Sequence, residues 1–336
     1  MSGIAQSLPP LIVALQNPSV YPHPVDNIRI IETHISWIIL TGKIAYKIKK
    51  PVHFNFVDFS TIAQRQYYCE EELKLNQICA APIYKAVLPL YGSATSPGFT
   101  SNGKPPIEYA VQMQEFPQEA LLLSLLSRLD ASEQTRLIHK MAPYLADFHQ
   151  QCPAIPLLSL DGDPNRSIYQ PIQDNIKDIQ RLSADPTVQT INARVAAWSE
   201  QQFNILLPLI SDRKADGFVR HCHGDLHLGN MISLNDTIYC FDRLEFNPDL
   251  QWIDVISDLA FLLMDLEVRG FKTLSYTLLN AYLNYRGDYD GLPLLTFYKV
   301  YRAMVRAKVA LLLIPPKPTE MRAYLVYTEL HTQASN

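Results

Sequence analysis

No CxxC pair, basic run, phosphate-binding GxxxxGK[ST] loop or apolar stretch of bilayer length occurs in this chain of 336 residues. Each absence excludes a class. The five cysteines (Cys69, Cys79, Cys152, Cys222 and Cys240) are odd in number and scattered without zinc-ribbon spacing, so neither a disulfide framework nor a structural zinc site is indicated. A reducing, cytoplasmic setting is the simplest expectation. The densest basic group is KIKK, Lys47 to Lys50, and the net charge is −4, so no nucleic-acid partner is expected. The opening residues lack a basic region and break their apolar run at Pro9 and Pro10, against a signal peptide. LAFLLM is bounded by Asp258 and Asp265 and VALLLI stops before Pro315, against a membrane span. Without a P-loop, nucleotide chemistry would have to come from a different scaffold.

What is present is an ordinary globular composition, 48% hydrophobic and 18% charged, which supports a buried core and argues against extended disorder. The length suggests two domains. Residues Ile28 to Val52 are rich in branched and aromatic side chains and read as two β-runs parted at Thr41-Gly42-Lys43. Alternation along AYKIKK puts Ala45, Lys47 and Lys49 on one face and Tyr46, Ile48 and Lys50 on the other. A helix follows, with Ser60 as its N-cap and Glu70, Glu71 and Glu72 in succession. Two strands, IYKAVLPLY and IEYAVQMQEF, flank a polar loop and end near Pro117.

Beyond Pro117 the periodicity turns helical. EALLLSLLSRL, SEQTRLIHKMAPYLADFHQ, IYQPIQDNIKDIQRL and VAAWSEQQFNILLPLI precede the cluster HCHGDLHLGN. MISL and IYCF then form a hairpin about Asn235-Asp236. LQWIDVISDLAFLLMDLEV, FKTLSYTLLNAYLNY and LLTFYKVYRAMVRAKVALLL read as three further helices. The pattern is α+β: a small lobe over residues 1–117, with an antiparallel sheet and one helix, then a larger, mainly helical lobe over 118–336.

Two chemistries compete for HCHGDLHLGN. Imidazole and carboxylate are zinc ligands, so His221, His223 and His227 suggest a metal-dependent hydrolase. Leu226, however, breaks the H-x-H-x-D-H spacing of metallo-β-lactamase-like enzymes. The other reading rests on Asp225 and Asn230, which have the D-x-x-x-x-N spacing of a kinase catalytic loop, and on Asp242 twelve residues later. An amide oxygen and a carboxylate suit Mg²⁺, and Asp225 would remain to orient a hydroxyl and accept its proton. Upstream, a strand lysine and a helix glutamate supply the ion pair that phosphate binding requires. Lys47 and Lys49 share a face, so alternation does not separate them; Lys47 is preferred as the strand's centre, while the residues alone do not choose among Glu70, Glu71 and Glu72.

HGDLHLGN followed by FD, with AYKIKKPV, EEELKLN and SDLAFLLMDLE, resembles the aminoglycoside phosphotransferase and choline-kinase-like family over about Ile31 to Leu312. The resemblance implies a two-lobed protein-kinase-like fold and transfer of the γ-phosphoryl group of ATP or GTP to a hydroxyl of a small polar metabolite. It implies Asp225 as base, Asn230 and Asp242 as Mg²⁺ ligands in a segment 241–245, and Lys47 at the phosphates paired with Glu72. Met113, Gln114 and Phe116 would meet the purine at a hinge over 113–117, and His223 and Asp258 would support the loop 221–230. A catalytically inactive, nucleotide-binding module is the remaining alternative. No GxGxxG precedes Lys47; ETHISW offers only Thr33, His34 and Ser36 to cover phosphates. Some relatives carry a further C-terminal P-loop kinase-like domain, whose function is not carried over. His221 and Cys222 are expected to be structural, His227 either a phosphate contact or a brace. Arg302 and Arg306, one turn apart on a C-terminal helix, could meet an anionic group, but salt bridges to acidic residues of the same lobe are the expectation; Tyr298 and Tyr301 are expected in the core. Glu245 and Asp249 stand as acidic candidates for a cationic substrate.

Overall fold

In a computed structural model, residues 8–54, 57–101, 103–155, 168–313 and 316–333 are described, and the chain divides into two compact units at Pro117/Gln118. The extreme N-terminus, part of the 151–216 segment and Pro315 therefore lie outside the described residues.

The first unit contains α1 (Pro10–Ala14), β1 (Arg29–Glu32), β2 (Ser36–Leu40), β3 (Ile44–Lys49), β4 (His53–Phe54), β5 (Val57–Asp58), α2 (Ile62–Ala80), β6 (Tyr84–Ser93), β7 (Ser96–Gly98) and β8 (Glu108–Gln114). Six strands form an antiparallel sheet in the order β1-β2-β3-β8-β6-β7. The stretch Ile28 to Val52 thus makes three strands rather than two. The unread turn is at Thr33, whose hydroxyl accepts the N–H groups of Ile35 and Ser36 and needs neither glycine nor proline. The loop after β6 also supplies a third, short strand, β7.

The two faces of β3 have different partners. Tyr46 and Ile48 join Ile12, Leu15, Trp37, Ile39 and Leu90 in an apolar core. Lys47 and Lys49 point to the opposite face, toward α2. That helix starts one residue later than expected: Thr61, not Ser60, is the N-cap, in a reciprocal capping box with Gln64. Its buried stripe, Arg65, Cys69, Glu72 and Asn76, has helical spacing but is mostly polar. Arg65 meets this demand through Glu108 on β8, with Nε 2.9 Å from Oε2.

The second unit contains α3 (Leu122–Leu125), α4 (Ala131–Gln151), α5 (Gln170–Leu182), α6 (Pro186–Ala215), β9 (Val219–His221), β10 (Met231–Leu234), β11 (Thr237–Cys240), α7 (Pro248–Gln251), β12 (Trp252–Asp254), α8 (Val255–Val268), α9 (Lys272–Arg286), α10 (Leu295–Leu312) and α11 (Pro318–Gln333). The run EALLLSLLSRL makes only the single turn of α3. LQWIDV does not open a helix; Trp252–Asp254 pairs with Val219–His221, and α8 begins afterwards. The unanticipated α11 packs on α10. Asn235 and Asp236, both at positive φ, close the expected β10–β11 hairpin.

Helix α8 occupies the centre. Every residue from Val255 to Leu266 is buried, including Asp258 and Asp265, two turns apart on one face. Two buried carboxylates in an otherwise apolar helix need donors, and the catalytic-type loop provides them. No helix among the described residues is long and apolar enough to cross a membrane.

Candidate active site

The loop between β9 and β10 is held from beneath by α8. Asp258 receives the backbone N–H of His223 at 3.0 Å and of Gly224 at 2.9 Å, and Asp265 receives that of Leu228 at 3.1 Å. His149 of α4 adds Nε2 at 3.3 Å from Asp258, its other nitrogen bonded to the Tyr282 hydroxyl. Burial would raise the pKa of Asp258, but the hydrogen bond to His149 and the charge of Arg302 help to outweigh it, and the carboxyl is held below its ordinary value. From above, Arg302 donates to the Gly224 carbonyl at 3.1 Å and to the Ser257 hydroxyl at 3.0 Å. Gly224 has φ +84°, and a Cβ there would lie 2.6 Å from the Leu250 carbonyl oxygen. Only glycine fits this turn.

Within the frame, Asp225 is partly exposed and Asn230 buried. The Asn230 amide nitrogen donates to the Asp225 backbone carbonyl at 3.0 Å and to its carboxylate at 2.9 Å. The amide therefore fixes the carboxylate and leaves its own oxygen as a hard donor. Phe241 N–H bonds the Asn230 carbonyl at 2.9 Å, continuing the β10–β11 ladder, so Asp242 follows directly beside Asn230's own pairing position. Asp242 sits at φ +62°, an uncommon backbone for a side chain and one that clusters at functional turns. The pair supplies oxygen donors of the kind Mg²⁺ takes, and the residues present fit such an ion.

His223 joins the two segments. Its Nδ1 receives the Asp225 N–H at 3.3 Å, so Nε2 carries the proton and donates to the Phe241 carbonyl at 2.9 Å. Burial lowers its pKa, which keeps the ring neutral. Asp225 is pulled the other way: burial would raise its pKa, but His227, Arg306 and His223 hold the carboxyl well below the usual range. His221 bonds Gln251 and stacks on Trp252. Cys222 is fully buried, and burial pushes its thiol well up. Among the described residues, one trio of metal-ligand type brings its ligand atoms within 4.8 Å of one another: His149, Cys222 and Asp258. It omits the three loop histidines, and its carboxylate is engaged by backbone N–H groups and its thiol protonated.

In the first unit, the choice between the two lysines dissolves. Lys47 Nζ lies 2.8 Å from Glu72 Oε1 and Lys49 Nζ 2.7 Å from Oε2. Glu72 is fully buried, whereas Glu71 is partly exposed and pairs with Lys74. Burial would raise the Glu72 pKa, but the two ammonium groups hold it low. Met113 is buried on β8 opposite Ala45; the Gln114 N–H is engaged by the Ile83 carbonyl, and Phe116 is half-buried. Tyr298 and Tyr301 are buried, as is Glu245, while Asp249 is exposed with its N–H on Asn247. Among the described residues, the expected salt bridges of Arg302 and Arg306 are not found: the first binds the loop backbone, the second contacts His227 and Tyr324. Sequence reading also missed His149, which braces Asp258 from 109 positions away, and Asp265, which reaches the loop from 37. Helical spacing marks such residues as inward-facing but names no partner.

The model of the phosphotransferase enzyme family matches residues 108–295, more than half of the chain. The chain belongs to this family. Within the phosphotransferase enzyme family, the sequence is 31% identical over 291 residues to an uncharacterized protein of Mycobacterium tuberculosis, and equally to one of Mycobacterium bovis. The alignments cover 85% of this chain and 56% of theirs, so the chain spans little more than half the length of these relatives. Among solved structures, a GDP complex of aminoglycoside 2′-phosphotransferase-IIIa superposes with TM-score 0.55 at 14% identity, covering 97% of this chain and 99% of that one. Choline kinase from Cryptosporidium parvum gives TM-score 0.55 at 10% identity, covering 96% and 94%. The shared architecture is the two-lobed, protein-kinase-like α+β fold.

Proposed function

We propose that this phosphotransferase-family chain moves the γ-phosphoryl group of ATP or GTP to a hydroxyl of a small polar metabolite, with Asp225 as the base. The observation that carries the reading is the grip of the Asn230 amide on Asp225, at 2.9 Å from the carboxylate, in a loop anchored by Asp258 and Asp265. A carboxylate so restrained can align an acceptor oxygen, and its depressed pKa makes it a weak base. The proton then moves late, as suits a loose phosphoryl-transfer transition state in which positioning and charge stabilisation dominate.

Asn230 and Asp242 would hold Mg²⁺, which when bound neutralises phosphate charge. Lys47 would contact the phosphates while Glu72 holds it in place, with Lys49 on the second carboxylate oxygen. Met113 would line the purine pocket; the Gln114 carbonyl and the Phe116 N–H would meet the base edge. His223 and Asp258 would keep the loop in register. Proteins with this fold bind GDP or act on choline according to their names, which supports a nucleotide and a small hydroxyl substrate as the class.

The test is a pool of small polar metabolites with Mg·ATP, read by phosphate transfer. Asp225→Asn should lose at least about a thousandfold in turnover while binding Mg·ATP about as well as the natural chain. Near-full turnover in that variant would defeat the assignment. Mg·ATP binding without any turnover in the natural chain would favour an inactive binding module. Stoichiometric zinc lost in His223→Ala would favour the hydrolase.

A further inference from the structure

Arg302 and Arg306 stand one turn apart on α10, yet their surroundings differ. Arg302 is fully buried, bonded to Gly224 and Ser257, and lies over the rings of Phe261 and Tyr301. Arg306 is partly buried, and among the described residues its direct partners are a hydroxyl and an imidazole, with the carboxylates of Asp225 and Asp265 near enough to raise its pKa. Its Nε donates to the Tyr324 hydroxyl at 3.4 Å, a long contact, and Nη1 lies 3.2 Å from His227 Nε2. The nearby carboxylates are occupied otherwise. Asp265 takes Arg269 and Tyr324 on Oδ1 and the Leu228 N–H on Oδ2. Asp225 takes Asn230, with His227 Nε2 at 3.5 Å.

His227 cannot satisfy this arginine. The Gly229 N–H points at His227 Nδ1 from 3.0 Å, so Nδ1 is an acceptor and the proton of the neutral ring belongs on Nε2. There it faces Asp225, and Arg306 Nη1 meets another donor. Moving the proton to Nδ1 would only shift the mismatch to Gly229. Protonating both nitrogens would leave both donors unmatched. Either neutral form therefore lacks one acceptor. A guanidinium whose direct contacts are a long one to a hydroxyl and one to an imidazole keeps N–H groups for a charge-assisted bond to an anion. Beside the ionised Asp225, such an anion is tolerable only with a cation between the two.

We propose that Arg306, with His227, receives an oxyanion of a bound substrate, a carboxylate or phosphoryl group, next to Asp225. The inference rests on the phosphotransferase reading for the origin of that group, which is either the γ-phosphoryl of the nucleotide or an anionic substituent of the acceptor. In either case Tyr324 aims the guanidinium from behind.

Calorimetric titration of the full chain tests this with Mg·ADP, Mg·β,γ-imido-ATP, inorganic phosphate, glycerate and glycerol. Arg306→Gln should weaken one of the anionic probes by roughly 10- to 100-fold and leave Mg·ADP within about threefold. Arg306→Lys should retain part of the loss, and Tyr324→Phe should weaken the same probe by a few-fold. A loss confined to imido-ATP identifies the γ-phosphoryl as the source; a loss confined to glycerate or phosphate identifies the acceptor. The proposal is overturned if Arg306→Gln binds every anionic probe like the natural chain. It is equally overturned if glycerate and phosphate bind no better than glycerol while imido-ATP binds no better than ADP. Should Arg306→Gln fail to fold, the Lys and Phe variants decide by the same criterion. If neither nucleotide binds the natural chain, the phosphotransferase reading falls, while phosphate against glycerol still judges Arg306.

Discussion

Two clusters of buried charge, one in each unit, are built in opposite ways. In the first, one carboxylate, Glu72, serves two ammonium groups, and each of these three charges has an opposite charge within 3 Å. In the second, Asp258 is held chiefly by backbone N–H groups and a histidine, and Arg306 makes its direct contacts to a hydroxyl and an imidazole rather than to a carboxylate. The first arrangement makes a rigid pair of cations. The second fixes a loop's shape and leaves one cation without a direct carboxylate partner, which is the better preparation for meeting a charged ligand.

Removal of the shared carboxylate tests this contrast most severely. Glu72→Ala leaves two buried lysines facing each other and should cost about 3–5 kcal/mol in urea unfolding. A loss below about 1 kcal/mol would mean that water or other groups already satisfy the lysines. Asp258→Ala strips two backbone donors and a histidine of their acceptor, and should cost about 3 kcal/mol. Its thermal unfolding should be lower even with Mg·ATP present. Lys49→Met should cost only about 1–2 kcal/mol, because Glu72 keeps Lys47 and a methionine fills the same apolar path. If instead it matches Glu72→Ala, Lys49 carries the pair alone.

Acid sharpens the same comparison more gently. Glu72 has its pKa depressed in the folded state, so its contribution is complete above the ordinary glutamate pKa of about 4.3 and fades as pH falls through the lower folded value. Stability should therefore drop below about pH 4, and Glu72→Gln should flatten that part of the profile. The smallest effect belongs to the cap. Thr61→Ala should cost about 1 kcal/mol, whereas Ser60→Ala should be nearly silent.

These contrasts also mark what the sequence could disclose. Alternation separated the lysine face of β3 from the Tyr46 and Ile48 face, because a strand's period is fixed by its backbone. The hairpin was legible at Asn235-Asp236, since both residues tolerate positive φ. The turn at Thr33 was not, because a hydroxyl makes it inside a run that reads as strand. Trp252–Asp254 was read into a helix because a short strand carries too few residues to show its own period, and its partner lies 31 positions earlier. In the site, Asp225, Asn230 and Asp242 could be selected by spacing along one loop and hairpin. His149 and Asp265 could not, because what makes them matter is a partner brought close only by packing.

The anchoring of the loop by α8 has a further consequence. Asp258 and Asp265 grip two points of one loop from one rigid rod, so the helix works as a gauge whose marks stand about 10 Å apart. One residue inserted between them would swing the second mark about 100° aside while leaving every side chain of the loop in place. The loop would keep its composition and lose its measure.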